Sequence, residues 1–134
     1  MSASHHQHAA LRQYQSVGAA GAAHSASPYQ LVEMLLSGAL DRLSQARGHM
    51  LRSNLLLKAE AIRKAYAIVE YLRLSLDEKA GGELAKNLSG LYEYMMKRLT
   101  QANAENDPAK LDEVGGLLRD IRTAWDEIPT RYRN

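Results

Sequence analysis

Apolar positions recur every three or four residues along most of the chain, the spacing that gathers side chains on one face of an α-helix. Leu31, Leu35, Ala39, Leu43, Ala46 and Met50 form the first such stripe, and Leu36 and Leu40 widen it. A start signal stands just ahead of it. Ser27 fits an N-cap, Pro28 the first helical position, and Gln30 completes a capping box. The spacing predicts a helix from there to about Arg52. A second stripe, Ile62, Ala65, Tyr66, Val69, Leu72 and Leu76, predicts a helix that begins near residues 54–57. Residues 77–82 end in Gly81-Gly82 and predict a break. The third stripe holds Leu84, Leu88, Leu91, Tyr92, Met95, Leu99 and Ala102, and its helix ends near Asn103. Asp107-Pro108 predicts another start. The fourth helix then presents Leu111, Val114, Leu118, Ile121, Trp125 and Ile128, and Pro129 stops it. Each glycine of the Gly115-Gly116 pair inside it costs roughly 1 kcal/mol relative to alanine. That cost predicts either the close approach of a neighbouring helix or a local bend.

The pattern is different ahead of Ser27. Residues 1–26 are rich in Ala, Ser, Gly, His and Gln, and they hold too little apolar surface to offset the entropy of ordering. One island interrupts them: Leu11, Tyr14 and Val17 share one face of a turn or two of helix, which needs a surface to dock on. The expected organisation is a mostly flexible segment over 1–26 with a short helical element near 11–17. An all-α, antiparallel up-down four-helix bundle follows over 27–129, with a tail over 130–134. Short connections between consecutive helices favour that antiparallel order, and no strand pattern competes with it.

Composition narrows the classes of function. A chain of 134 residues suits one domain with a real core. Its formal charge of +2 lacks the concentrated basic face that phosphate binding needs, so nucleic acid is not an expected partner. It has no cysteine, which excludes disulfides, thiolate metal sites and cysteine catalysis. The first residues carry neither a basic n-region nor an apolar h-region, and no apolar run reaches the length of a membrane span. The expectation is a cytosolic protein with no membrane insertion.

Motifs for chemistry are sparse. There is no Glu-x-x-His pair for a di-iron bundle, no His-Glu-x-x-His, no phosphate-cradling loop and no nucleophile elbow. Glu33, Asp41, Glu60, Glu70, Glu93 and Asp120 each fall near Lys or Arg on polar helix faces and read as solvated surface charge. His5, His6 and His8 read as a polar tail rather than a metal site. His49 is the only histidine within a predicted helix, and it keeps a histidine phosphotransfer or other signalling bundle open as the alternative function. The expectation is no catalytic residue, no metal and no cofactor. Seven tyrosines and no phenylalanine point to half-apolar, half-wet surfaces of the kind found at protein interfaces. Tyr92 and Met95 continue the core stripe, whereas Tyr94 lies off it and is the better interface candidate.

Several stretches, taken in order, resemble the flagellar secretion chaperones of the FliS family. Tyr14-Gln15 is similar to the family's N-terminal element, and Ala26-Ser27-Pro28, Leu31, Met34-Leu35 and Gly38-Ala39-Leu40 are similar to its first helix. Leu76-Asp77, Gly81-Gly82-Glu83-Leu84-Ala85 and Asn87-Leu88 resemble its second junction. Leu91-Tyr92-Glu93-Tyr94-Met95, Leu99 and Ala102-Asn103 resemble its third helix, and Leu111, Glu113-Val114 and Trp125 its fourth. The resemblance covers residues 11–127. It departs at Leu36, where the family often has tyrosine, and in the Ala-rich stretch between Tyr14 and Ser27. It implies a non-enzymatic export chaperone that binds the disordered C-terminal segment of flagellin, prevents premature polymerisation and assists delivery to the flagellar type III export apparatus. The implied partners are flagellin, a component of the export gate and a co-chaperone. Candidate client-binding or groove-capping residues are Leu11, Tyr14, Gln15 and Val17 ahead of the bundle, and Leu31 and Leu35 on the first helix. Tyr66 on the second helix and Leu88, Tyr92, Tyr94 and Met95 on the third complete the set.

Overall fold

A computed structural model describes residues 26–132; the expectations for residues 1–25 and 133–134 lie outside them. The described residues form four α-helices and no strand: α1 Pro28–Leu51, α2 Leu55–Leu74, α3 Glu78–Glu105 and α4 Pro108–Asp126, closed by a 3-10 turn at Thr130–Tyr132. The start signals act as their chemistry predicts. Gln30 N–H donates to Ser27 Oγ at 3.2 Å, and Ser27 N–H donates back to Gln30 Oε1 at 3.0 Å. Asp107 accepts from Ala109 N–H at 3.0 Å, with Pro108 behind it where no amide is needed.

Three boundaries differ from the sequence reading. Leu76 lies past the end of α2, in the connection to α3. Ile128 lies past the end of α4, although Pro129 does follow as a stop. Residues 77–82 are also not simply a break. Asp77 accepts from Ala80 N–H at 3.1 Å, so α3 begins at Glu78 with one capped turn. The helix then kinks at Gly82 (φ 56°, ψ −134°), a conformation that only glycine adopts without strain.

Each helix packs on its two neighbours, α1 on α2 and α4, α3 on α2 and α4, which closes a four-helix ring in up-down order. Leu35, Leu36 and Ala39 of α1 meet Ile68 and Val69 of α2, Met95 and Leu99 of α3, and Val114 and Leu118 of α4 in a single core cluster. Ion pairs bridge three of the four seams: Arg47–Asp112 joins α1 to α4, Arg73–Glu93 joins α2 to α3, and Arg98–Glu113 joins α3 to α4. Each is partly exposed and adds little stability, but together they match helix to neighbour. Gly115-Gly116 neither bends α4 nor receives a close neighbour. A Cβ on Gly115 would meet Leu43 and the Arg119 guanidinium at ordinary contact distances of 3.6–3.9 Å, and one on Gly116 would meet nothing. Gly116→Ala should therefore stabilise the bundle by about 0.5–1 kcal/mol, readable as a rise of a few degrees in Tm.

Two polar fasteners escape a reading by periodicity. Tyr29 and Trp125 stack with ring centroids 5.2 Å apart. The Tyr29 hydroxyl donates to the Trp125 carbonyl at 2.8 Å, and Trp125 Nε1 donates to the Tyr29 carbonyl at 3.1 Å. This clasp ties the start of α1 to the end of α4. At the other end of the bundle, Lys58 is buried in the first turn of α2. Its Nζ donates to the Asn103 carbonyl at 2.9 Å and to Asn106 Oδ1 at 2.5 Å. Asn106 ends α3 in the left-handed conformation, so the ammonium sits where the carbonyl end of the helix is negative. Lys58→Met keeps the volume and strands both acceptors; chemical denaturation should show a loss of about 2 kcal/mol.

Candidate docking surfaces

The kink at Gly82 builds the clearest apolar surface. Beside this kink, Leu84 leaves the core stripe on which the sequence places it and stands 70% exposed. Gly81 lets the capped turn fold back closely: a Cβ on it would lie 2.6 Å from Ala85 Cβ. The result is a cleft of about 320 Å³ where α2 hands over to α3, walled by Leu76, Ala80, Leu84, Ala85 and Leu88. Asp77 is the single charged residue on its wall. A lining of this kind accepts aliphatic anchors of an amphipathic segment and offers little polar recognition.

The sequence-derived candidates separate into groups. Leu88 lines the cleft. Leu31 and Tyr66 are half-buried against the core, partway between core and surface. Leu35, Tyr92 and Met95 face the bundle interior and are buried, so in this state they hold the core and offer a partner no surface. One apolar periodicity produces both core and groove positions, which is why the pattern alone does not divide them. Leu11, Tyr14, Gln15 and Val17 lie outside the described residues. Leu76, Ala80 and Ala85 were not among the candidates; the Gly81-Gly82 pair was the signal that could have found them, because a kinked turn exposes the residues beside it.

Tyr94 is exposed, as its place off the stripe suggests, but it is not unengaged. Its hydroxyl donates to Glu113 Oε2 at 2.6 Å, and Arg98 donates to Glu113 Oε1 at 2.6 Å with its guanidinium 5.8 Å from the Tyr94 ring centre. The Tyr94 hydroxyl and the Arg98 guanidinium hold the Glu113 carboxyl below its usual range, and the same hydrogen bond raises the Tyr94 hydroxyl. The arrangement locks α3 to α4 across the surface.

His49 falls in the last turn of α1, partly buried, with Nδ1 enclosed and without a hydrogen-bond partner. The ring lines a shallow pocket between α1 and α2 with Arg42, Gln45, Leu57 and Glu60. Among the described residues no group of three His, Asp or Glu side chains is placed to hold a metal ion, and no helix is long and apolar enough to cross a membrane.

The described residues define a four-helix bundle that exposes leucines and an apolar cleft on its surface. Comparison with known proteins gives the class a name: residues 10–132 match the family described as "Flagellar protein FliS", and the chain belongs to that family. It is 42% identical to the flagellar secretion chaperone FliS of Vibrio cholerae over 124 residues, which is 92% of this chain and 91% of that protein. It is 46% identical to the flagellar secretion chaperone FliSB of Pseudomonas aeruginosa over 119 residues, 89% of this chain and 94% of that one. Against the Salmonella typhimurium FliS the identity is 44%, with 88% of each chain covered. The family is one of flagellar secretion chaperones, not of enzymes.

Proposed function

We propose that this chain is a cytosolic export chaperone for flagellin. It binds the disordered C-terminal segment of flagellin, keeps that segment from polymerising early, and helps deliver the client to a gate component of the flagellar type III export apparatus, with a co-chaperone as a further partner. Membership of the FliS family supports the class, and the exposed cleft of Leu76, Leu84 and Leu88 is the observation that carries the binding mode. A disordered client gives up ordering entropy when it binds, so the interface has to be long and apolar, with the cleft as one anchor point along a wrapped path.

The Leu11, Tyr14 and Val17 island is proposed as a cap on this cleft in the absence of client. Ser27 opens α1 at the end of the bundle where α2 passes to α3 and where the Tyr29–Trp125 clasp lies. Residues 17–27 can span at most about 35 Å, enough to bring the island to the cleft. Client would then displace the cap by competition.

The test is titration of the full chain with a flagellin C-terminal fragment. Binding at micromolar concentration or tighter supports the reading, and no binding at that concentration overturns it. Removal of residues 1–20 should tighten the fragment's binding if the island caps the cleft. Weaker binding would make the island part of the client interface instead.

A further inference from the structure

We propose that the turn between α1 and α2 is a contact for an anionic lipid surface. Leu51 closes α1, and Leu55, Leu56 and Leu57 open α2; they are 61%, 53%, 87% and 46% exposed. They gather at the turn from α1 to α2, the tip of the bundle at this end, and Leu57 also edges a shallow pocket between the two helices with His49 and Glu60. The cleft described above lies at the opposite end of the bundle, the length of the 20-residue α2 or about 30 Å away.

The charges around the tip are unevenly paired. Four carboxylates lie on the helix turns nearest this end, and each has a cation: Glu60 has Lys64, Asp112 has Arg47, and Glu105 and Asp107 share Lys110. The side chains of Arg52 and Arg63 form no ion pair with a described residue; Arg52, at the end of α1, lies against Gly48, and Arg63 stands two turns into α2. Asn54 gives α2 no side-chain cap, so the positive end of that helix also faces outward here. Apolar side chains on a convex tip, with surplus cations beside them, match the boundary between acyl chains and anionic headgroups.

The other occupants fit less well. Four leucines offer a few hundred Å², below the roughly 800 Å² per partner of a stable protein interface. Two copies placed tip to tip would also bring the unpaired arginines together. The chain ahead of α1 joins the bundle at Ser27, at the end opposite this tip. No spanning helix is involved; the contact departs from the expectation of no membrane insertion only to the depth of a few leucine side chains.

Vesicle flotation of the full chain tests the proposal. The chain should float with vesicles of mixed phosphatidylcholine and phosphatidylglycerol and stay behind with phosphatidylcholine alone. L55S/L56S should weaken the lipid affinity by about tenfold or more, equivalent to 1.4 kcal/mol or more. R52E/R63E should weaken it similarly and flatten its dependence on salt. Both variants change only exposed side chains and should melt like the parent, and both should keep the parent's affinity for the flagellin fragment, which separates this proposal from the client reading. No flotation with anionic vesicles, or flotation unchanged in L55S/L56S, overturns it. So does flotation lost only on removal of residues 1–25, or a concentration-dependent dimer that L55S/L56S abolishes without any lipid binding.

Discussion

Alanine in place of Tyr92 should lower the stability of the bundle by about 4 kcal/mol, whereas phenylalanine should stay within about 1 kcal/mol of the parent at neutral pH. Tyr92 is 3% exposed inside the four-helix ring, so removal of its ring leaves a cavity that fixed helices cannot collapse into. Its hydroxyl has no hydrogen-bond partner among the described residues, so phenylalanine strands nothing. The hydroxyl shows itself at high pH. Burial disfavours the phenolate and pushes the pKa up to about 12, from 10.0 for an unburied tyrosine. The folded value lies above the unfolded one, so the contribution is fully present below pH 10 and is lost as the pH rises through the folded value. Between those limits the unfolded chain ionises Tyr92 and the folded chain does not. The loss should be about 1.4 kcal/mol at pH 11, approaching about 3 kcal/mol above pH 12. Denaturant titrations of the parent and Tyr92→Phe at pH 8 and pH 11 isolate this residue from the other titrating groups. If the stability gap between them does not widen by about 1 kcal/mol, Tyr92 reaches solvent or the phenolate has a partner.

What the sequence made legible, and what it hid, follows from the range of each interaction. Ser27, Pro28, Gln30, Asp107 and Pro108 act on backbone groups within one turn, so their roles could be read before any fold was known. The stripes through Leu35, Met95 and Leu118 also placed the core, because helical periodicity is a local property. The Tyr29–Trp125 clasp joins residues 96 apart, and Lys58 reaches across 45 and 48 residues to the end of α3. No local pattern announces either, and a lysine in the first turn of a helix reads as surface charge. The site was legible only in part. Leu88 was named as a candidate, but Leu84 was assigned to the core stripe, because periodicity assumes an unbroken helix. The kink at Gly82 interrupts that periodicity, and Leu84 lies exposed. Gly115-Gly116 misled in the opposite sense, since glycines inside a helix can simply be tolerated where nothing presses on them.

The same kink gives the sharpest functional prediction. Leu84→Glu should weaken binding of the flagellin C-terminal fragment by at least about tenfold and leave the melting temperature nearly unchanged. Leu84 is 70% exposed, so a carboxylate there meets water in the free protein and costs the fold little. In the complex the same carboxylate would have to enter a cleft walled by Leu76, Ala80, Ala85 and Leu88, beside Asp77 and with no cation on the wall to receive it. The cost therefore falls on the bound state alone. Leu84→Met, which keeps an apolar side chain of similar size, should bind within a few-fold of the parent. Leu56→Glu, on a still more exposed leucine at the far end of the bundle, should leave fragment binding intact, which separates loss of this cleft from loss of surface hydrophobicity in general. Parent-like binding by Leu84→Glu would remove the cleft from the client's path and move the anchor to Leu31, Tyr66 or Tyr94, the three described candidates outside both the core and the cleft.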